Sequence, residues 1–179
     1  AWGYNIVDKT IEPNDESDPD RISKDTPIVY VPLTSDVTKS TKQTVVFEGA
    51  GEKTPATNIK DDYVFTGKKD LTTNAITWKT SSHIYGSVPV PVVPGYYADK
   101  AEAGFKTVTL DEPEVTDKVI YKPLGKIIQV DENFNVIPNS NSVTYENNPY
   151  NPREAIETAI PAAPAGYKIR ELQPHAWGY

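Results

Sequence analysis

The sequence contains no cysteine and no methionine in 179 residues. Without cysteine no disulfide framework exists, so each domain must stand on its own apolar core. Histidine is nearly absent too. His83 and His175 are far apart and have no cysteine company, so they read as loop histidines rather than transition-metal ligands. There is no Gly-rich phosphate loop, no Gly-x-Ser-x-Gly elbow and no His-Glu-x-x-His. No nucleophile–base pattern stands out either, and the chain is expected not to be an enzyme. Basic charge is in deficit: the formal net charge is −7. That disfavours nucleic acid, whose recognition needs a basic footprint, and fits an acidic, well-solvated surface. No apolar run approaches the roughly 20 residues of a membrane span, so membrane insertion is not expected. The chain does not begin with methionine, and it reads as a piece of a longer one.

What is plentiful is proline, 16 residues, with 11 tyrosines and many threonines and valines. This composition fits strands and loops better than helices. Residues 5–27 are polar and acidic and read as a linker running into a strand at Ile28–Val31. The hydrophilic stretch Thr34 to Lys42 looks like a connector. Strands are expected at Gln43–Phe47, within Asn58–Thr66 and at Ala75–Trp78, with Gly67-Lys68-Lys69-Asp70 as a break. Ser81 to Ser87 reads as a loop. The alternating Val-Pro run at 88–94 can be neither a helix nor a central strand. Gly95-Tyr96-Tyr97, Thr107–Leu110 and Val119–Tyr121 read as further strands. A strand from Ile127 to Val130, a turn at Asp131–Asn135 and a return at Val136-Ile137 form a hairpin. One helix is expected, Pro152 to Ile160: Asn151 as N-cap, Pro152 at the first position, Glu154 completing a capping box, and Pro161 as the stop.

Two internal recurrences set the organisation. Asp25-Thr26-Pro27-Ile28-Val29-Tyr30-Val31-Pro32-Leu33 parallels Asp117-Lys118-Val119-Ile120-Tyr121-Lys122-Pro123-Leu124. The tetrapeptide Ala1-Trp2-Gly3-Tyr4 returns as Ala176-Trp177-Gly178-Tyr179. Both are expected of one period cut from a tandem array. Pro164-Ala165-Gly166-Tyr167 also echoes Pro94-Gly95-Tyr96. The expected fold is therefore α+β and strand-rich, two tandem domains with little helix. Residues 1–33 would be the tail of a preceding copy, 34–122 a first domain, and 123–179 a second domain without its own closing strand. Ile28–Val31 is then expected to pair into a second domain, more readily that of a neighbouring molecule, giving head-to-tail contacts.

The aromatic residues carry the sharpest binding expectation. Flat rings stack on sugars, and Tyr63, Trp78, Tyr145 and Tyr150 are the candidates. The competing reading for Trp78, at the end of a strand, is core packing. Carboxylate pairs such as Asp61-Asp62 read as solvated loop charges, because neighbours on a strand face opposite ways. No cofactor is expected beyond a possible structural calcium, held by Asp15, Asp18 and Asp20 or by Asp131 and Asn133; these lack the full EF-hand spacing.

Several of these motifs resemble a known family. Tyr121 to Tyr167 has Leu124-Gly125-Lys126, then Asp131-Glu132-Asn133, Ile137-Pro138-Asn139, Tyr145-Glu146-Asn147-Asn148-Pro149 and a Pro-x-Gly-Tyr corner. It is similar to the second domain type of the mucus-binding (Mub) repeats of lactobacilli. Thr41 to Tyr121 looks like the first domain type, through Thr44–Phe47, Asn74–Trp78, Pro94-Gly95-Tyr96 and Thr107-Val108-Thr109. The resemblance implies tandem ubiquitin-like β-grasp domains on an extracellular, cell-wall-anchored adhesin. It implies mucin glycoproteins and their glycans as partners, with immunoglobulins or a bare spacer role as alternatives.

Overall fold

The structure, a computed structural model, describes residues 10–176. It is built from short strands: β1 Thr34–Ser40, β2 Lys42–Glu48, β3 Asn58–Lys60, β4 Val64–Asp70, β5 Ile76–Trp78, β6 Ser82–Ile84, β7 Ser87–Pro89, β8 Tyr96–Ala98, β9 Glu102–Gly104, β10 Thr107–Thr109, β11 Glu114–Pro123, β12 Lys126–Ile127 and β13 Val143–Thr144. Among the described residues there is no α-helix, only 3₁₀ turns at Pro19–Ser23 and Gly51–Lys53. The strand-rich expectation holds; the α component does not.

The frame is one long bent hairpin. A single residue, Thr41, separates β1 from β2, too few for a reversing loop. The chain therefore runs on from β1 into β2. β3 and β4 run back beside them, β3 on β2 and β4 on β1. At Thr41 the hairpin passes from one sheet, ordered β1-β4-β5, into another, ordered β3-β2-β11-β8. The second sheet is mixed. β11 runs parallel to β2 from Glu114↔Lys42 to Ile120↔Glu48, then antiparallel to β8 from Tyr121↔Ala98 to Pro123↔Tyr96.

The alternation of β2 and β11 builds the core. Gln43, Val45 and Phe47 face inward from β2, and Val119 and Tyr121 from β11. The proline-rich stretch covers them with Val88, Val90 and Val93, and Ala98 and Ala103 complete that core. The Tyr121 hydroxyl donates to Pro91 O at 2.6 Å, and burial pushes its pKa up. Gln43 is 0 % exposed yet polar. Its Nε2 donates to Gly86 O at 3.1 Å and its Oε1 accepts from Lys106 N at 2.9 Å. It thus ties the β6–β7 junction to the β9–β10 junction and satisfies both, as a buried amide must.

Asp117, also on the inner face, is a second tie. It accepts from Lys100 Nζ, Gly104 N and Lys118 N at 2.8, 2.8 and 2.9 Å. Burial alone would raise its pKa; these hydrogen bonds and the Lys100 charge outweigh it and hold the carboxyl below its usual value. Along the same strand Asp99 Oδ1 takes the Ile120 N–H at 3.0 Å. Two aspartates therefore cap backbone donors that an open sheet edge would present to other strands.

The region after β11 is sparse. β12 pairs with β13 over two residues, and isolated bridges join Val130 to Val136 and Asn147 to Ala155. Ile137 is its one buried large apolar side chain among the described residues. The Asp131 turn forms as expected, with Asp131 Oδ1 accepting from Asn133 N and Asn135 N. The strand expected at Ile127–Val130 is reduced to Lys126–Ile127 plus the Val130 bridge.

Other expectations are corrected. Pro152 to Ile160 is not helical. Asn151 Oδ1 accepts from Arg153 N at 3.0 Å, a tight Asx turn. The next residues join a bridge, with Asn148 N donating to Glu154 O and Ile156 N to Glu146 O. Asn-Pro-x-Glu opens either structure, and long-range backbone pairing decides. Thr34–Lys42 is not a connector but β1 and the start of β2. The polar side chains of Thr34–Ser40 suit a strand that buries none of them deeply. Gly67–Asp70 does not break β4. Gly67 lets β5 approach: a Cβ there would lie 2.8 Å from Thr77 O. Ser81–Ser87 is not all loop, since β6 pairs with β10. Ile28–Val31 forms no strand within this chain, and its side chains are exposed. The Ala-Trp-Gly-Tyr repeat falls almost wholly outside the described residues.

Candidate functional site

The bend at Thr41 creates a cleft-bearing feature on the surface of the described residues. On one side of it Ser40 pairs with Val64, and on the other Gln43 pairs with Lys60. Thr41 and Lys42 thus face three residues, Asp61, Asp62 and Tyr63. One extra residue is a β-bulge, which bends its strand and re-aims side chains.

The backbone freed by the bulge is satisfied by side chains. The Thr41 hydroxyl donates to Tyr63 O at 2.7 Å, and Tyr63 N donates to the Tyr85 hydroxyl at 3.3 Å. The Thr41 and Tyr85 hydroxyls lie 2.5 Å apart. Thr41 and Tyr85 are both buried, so the bend is held by a closed polar triangle. Around it the aromatic rings stack. Tyr63 lies flat on His83 at 3.8 Å between centroids and 3° between planes. Phe65 meets Tyr63 edge-on at 5.3 Å, and Tyr85 meets His83 edge-on at 4.9 Å.

A cleft of about 510 Å³ opens beside this bend, between residues 59–62 and 83–86. Both Asp61 and Asp62 line it. Neighbouring residues on a regular strand face opposite ways, whereas at the bulge both border the one cleft. The exposed Ile59 and Ile84 supply apolar wall. Lys60 Nζ reaches Gly86 O and Ser87 O at 3.4 and 3.3 Å and so braces the two sides of the cleft. The cleft can take a small polar ligand with hydroxyls for the carboxylates and a C–H face for the isoleucines.

The four aromatic candidates separate into two groups. Tyr63 and Trp78 both pack against the small cluster of Phe65, Tyr85 and Val108. Tyr63 is held further by a hydrogen bond to Thr80 (2.6 Å) and Trp78 by Lys39 Nζ at 5.9 Å from its ring. They are framework beside the cleft. Tyr145 lies over Gly125, where a Cβ would meet its ring at 3.1 Å. Tyr150 is 94 % exposed at the tip of a turn in which Asn148 Oδ1 accepts its N–H. Asp61, Asp62 and His83 were read from sequence as bland loop residues. No signal in the sequence marks them, because the one-residue mismatch between the two halves of the hairpin exists only in the pairing.

Of the calcium candidates, Asp15 Oδ1 accepts from Ser17 Oγ and N at 2.6 and 2.8 Å, which lowers its pKa, and Asp131 is engaged in its turn. Among the described residues no three His, Asp or Glu side chains gather where they could hold a metal ion. No described helix is long and apolar enough to cross a membrane.

The Muc B2-like domain family matches residues 32–125, the dense unit from β1 to β11. Several solved structures are similar to the chain. A MucBP domain of a Lactobacillus acidophilus protein is 22% identical, covers 52% of this chain and 99% of its own, and gives a TM-score of 0.39. The mucin-binding domain of a Streptococcus pneumoniae protein is 15% identical, with 52% and 98% covered and a TM-score of 0.43. The type 2 repeat of the mucus binding protein MUB from Lactobacillus reuteri is 22% identical, with 50% and 58% covered and a TM-score of 0.38. No curated protein matches.

Proposed function

Because the chain belongs to the Muc B2-like domain family, we propose that it is a non-enzymatic repeat of an extracellular, wall-anchored adhesin, and that its bulge cleft takes neutral mucin glycans. The supporting observation is the cleft itself, which lies inside the matched stretch and carries paired carboxylates against an apolar wall. Carboxylates accept from sugar hydroxyls, while the C–H face of a pyranose packs on Ile59 and Ile84. The same carboxylates, in a chain of net charge −7, repel sialic acid and sulfate. Tyr150, which is not part of the cleft, offers a second, open ring for a sugar. One site of this kind binds weakly, and many copies supply the avidity.

The test is a glycan array with the full chain, before and after sialidase treatment of mucin. Binding should survive or strengthen after sialidase and fall at least about ten-fold in Asp61→Asn/Asp62→Asn, with the melting temperature unchanged. Loss of binding on desialylation would refute the neutral-glycan reading. Binding to deglycosylated immunoglobulin instead would make the chain a protein-binding module. Silence towards both would leave a spacer.

A further inference from the structure

Phe105, between β9 and β10, is held in a backbone state that its side chain does not favour. Its φ is +54, in the left-handed region. Asn74 and Asn139 also lie there, and asparagine tolerates it, whereas a bulky ring does not. The flanks impose the conformation. Gly104 N donates to Asp117 Oδ2 at 2.8 Å, and Lys106 N donates to the Oε1 of buried Gln43 at 2.9 Å. Gly104 itself has φ +77, and a Cβ on it would lie 2.6 Å from Gln43 Nε2. The Phe105 ring does nothing for the interior. It is 68 % exposed and belongs to neither core cluster. Backbone strain that the fold itself does not use is a mark of functional sites.

The pairing places Phe105 beside the bulge cleft. Ile84↔Thr107 and Ser87↔Gly104 share one register, which sets Phe105 opposite Gly86. Phe105 N donates to Gly86 O at 3.4 Å. Gly86 lines the cleft, together with Ile84. Partners joined in this way have Cα atoms about 5.5 Å apart. The surface over Gly86 is open. Beyond its chain neighbours, a Cβ there would meet only Lys60 Nζ among the described residues, at 3.4 Å. Gly86 is thus a bare sill between the cleft and an exposed aromatic residue.

We propose that Phe105 is a second sugar platform of this site, so that the cleft and the ring together read a neutral disaccharide rather than a single sugar. The proposal rests on the glycan reading of the cleft. One sugar sits in the cleft, its hydroxyls donating to Asp61 and Asp62. The next crosses Gly86 and lays its C–H face on the Phe105 ring. Phenylalanine has a flat apolar face and no hydroxyl that needs a partner, which suits that side of a pyranose. The ties at Gly104 and Lys106 fix the backbone on both sides of the ring, so less freedom is lost on binding. A side chain at position 86 would stand in the path of the second sugar.

The test compares galactose with N-acetyllactosamine by NMR titration of the full chain. The disaccharide should bind the native chain about ten-fold more tightly or better, the scale of one stacked ring. Phe105→Asn, which suits the left-handed backbone, should cut that ratio to about two-fold or less, with the melting temperature unchanged or raised. Phe105→Trp should keep the ratio. Gly86→Leu, at a glycine whose φ is not positive, should cut it as Phe105→Asn does. Phe134→Asn, the same exchange at the other phenylalanine with positive φ, should leave it unchanged. A ratio that survives Phe105→Asn, while Asp61→Asn/Asp62→Asn abolishes binding, overturns the proposal and leaves the cleft reading standing. A lowered melting temperature in Phe105→Asn would make the ring structural and overturn it too. Failure of the native chain to bind either sugar overturns both readings.

Discussion

Two corners of this molecule share a turn and differ in everything that surrounds it. At Gly95 the turn is locked from several directions. Asn147 Oδ1 accepts from Gly95 N at 2.8 Å, and its Nδ2 donates to Val93 O and Tyr96 O at 2.9 and 2.7 Å. Leu124 N donates to Gly95 O at 2.9 Å, and Ala98 N donates to Pro152 O at 2.8 Å. At Gly166 the same turn stands exposed. The lesson is that the turn is local while the order around it is not. The dense unit exists because β11 comes back, from some 70 residues away in sequence, to lie beside β2.

Removing part of that non-local core should break the contrast most. Phe47→Ala is expected to destabilise residues 34–123 by about 3–5 kcal/mol, the usual range for a buried aromatic. A urea titration followed by tryptophan fluorescence, with Trp78 in this unit, checks it. A shift no larger than that of Tyr167→Ala would mean that the two regions are equally ordered.

Next comes the clasp. Asn147→Ala leaves the Gly95 N–H and two carbonyls without their partner, at about 1–3 kcal/mol. Hydrogen exchange should rise first in residues 124–160 and at the 93–98 corner, with β2 still protected. Uniform exchange of the whole chain would show that Asn147 supports the entire fold rather than the junction.

Asp117→Asn removes a charge-assisted tie between β11 and β9, with an expected loss of about 1–2 kcal/mol at neutral pH. The sign with pH is fixed by its lowered folded-state pKa. The ionised, hydrogen-bonded form contributes fully above the unfolded value near 3.9 and is lost as pH falls through the lower folded value. The native chain should thus lose stability below about pH 4, and the Asn variant should lose less over that window. Parallel acid unfolding curves would refute the assignment.

The smallest effect is expected at Asn151→Ala. An N-cap would contribute about 1 kcal/mol, but here the side chain caps only one Asx turn in an exposed segment. A change of a few tenths of a kcal/mol with no loss of helical circular dichroism is expected. Loss of a helical signal would restore the helix that the sequence pattern favours.

Period-two patterning made β2 and β11 legible. Gln43-Thr44-Val45-Val46-Phe47 and Val119-Ile120-Tyr121 alternate between core and solvent as half-buried strands must. Turn chemistry made the Asp131 hairpin and both Gly-Tyr corners legible, because Asn, Asp and Gly act on backbone within a few residues of themselves. The candidate site was only half visible. Tyr63 was picked out as a ligand-stacking ring, whereas its ring faces His83. Asp61 and Asp62 were set aside on the rule of alternation, and a bulge is where that rule lapses.

The sequence by itself determined the strand-rich, helix-poor character, the family, the corners and the absence of any thiol chemistry. These are properties of single residues and short windows. Tertiary structure decided the rest. It made strands of the polar Thr34–Ser40, carried β4 through Gly67, and drew Asn151–Ile156 into a bridge instead of a helix. It also put one residue too many opposite Thr41. Each of these outcomes depends on which distant backbone donor finds which acceptor, and no side-chain pattern encodes a pairing partner.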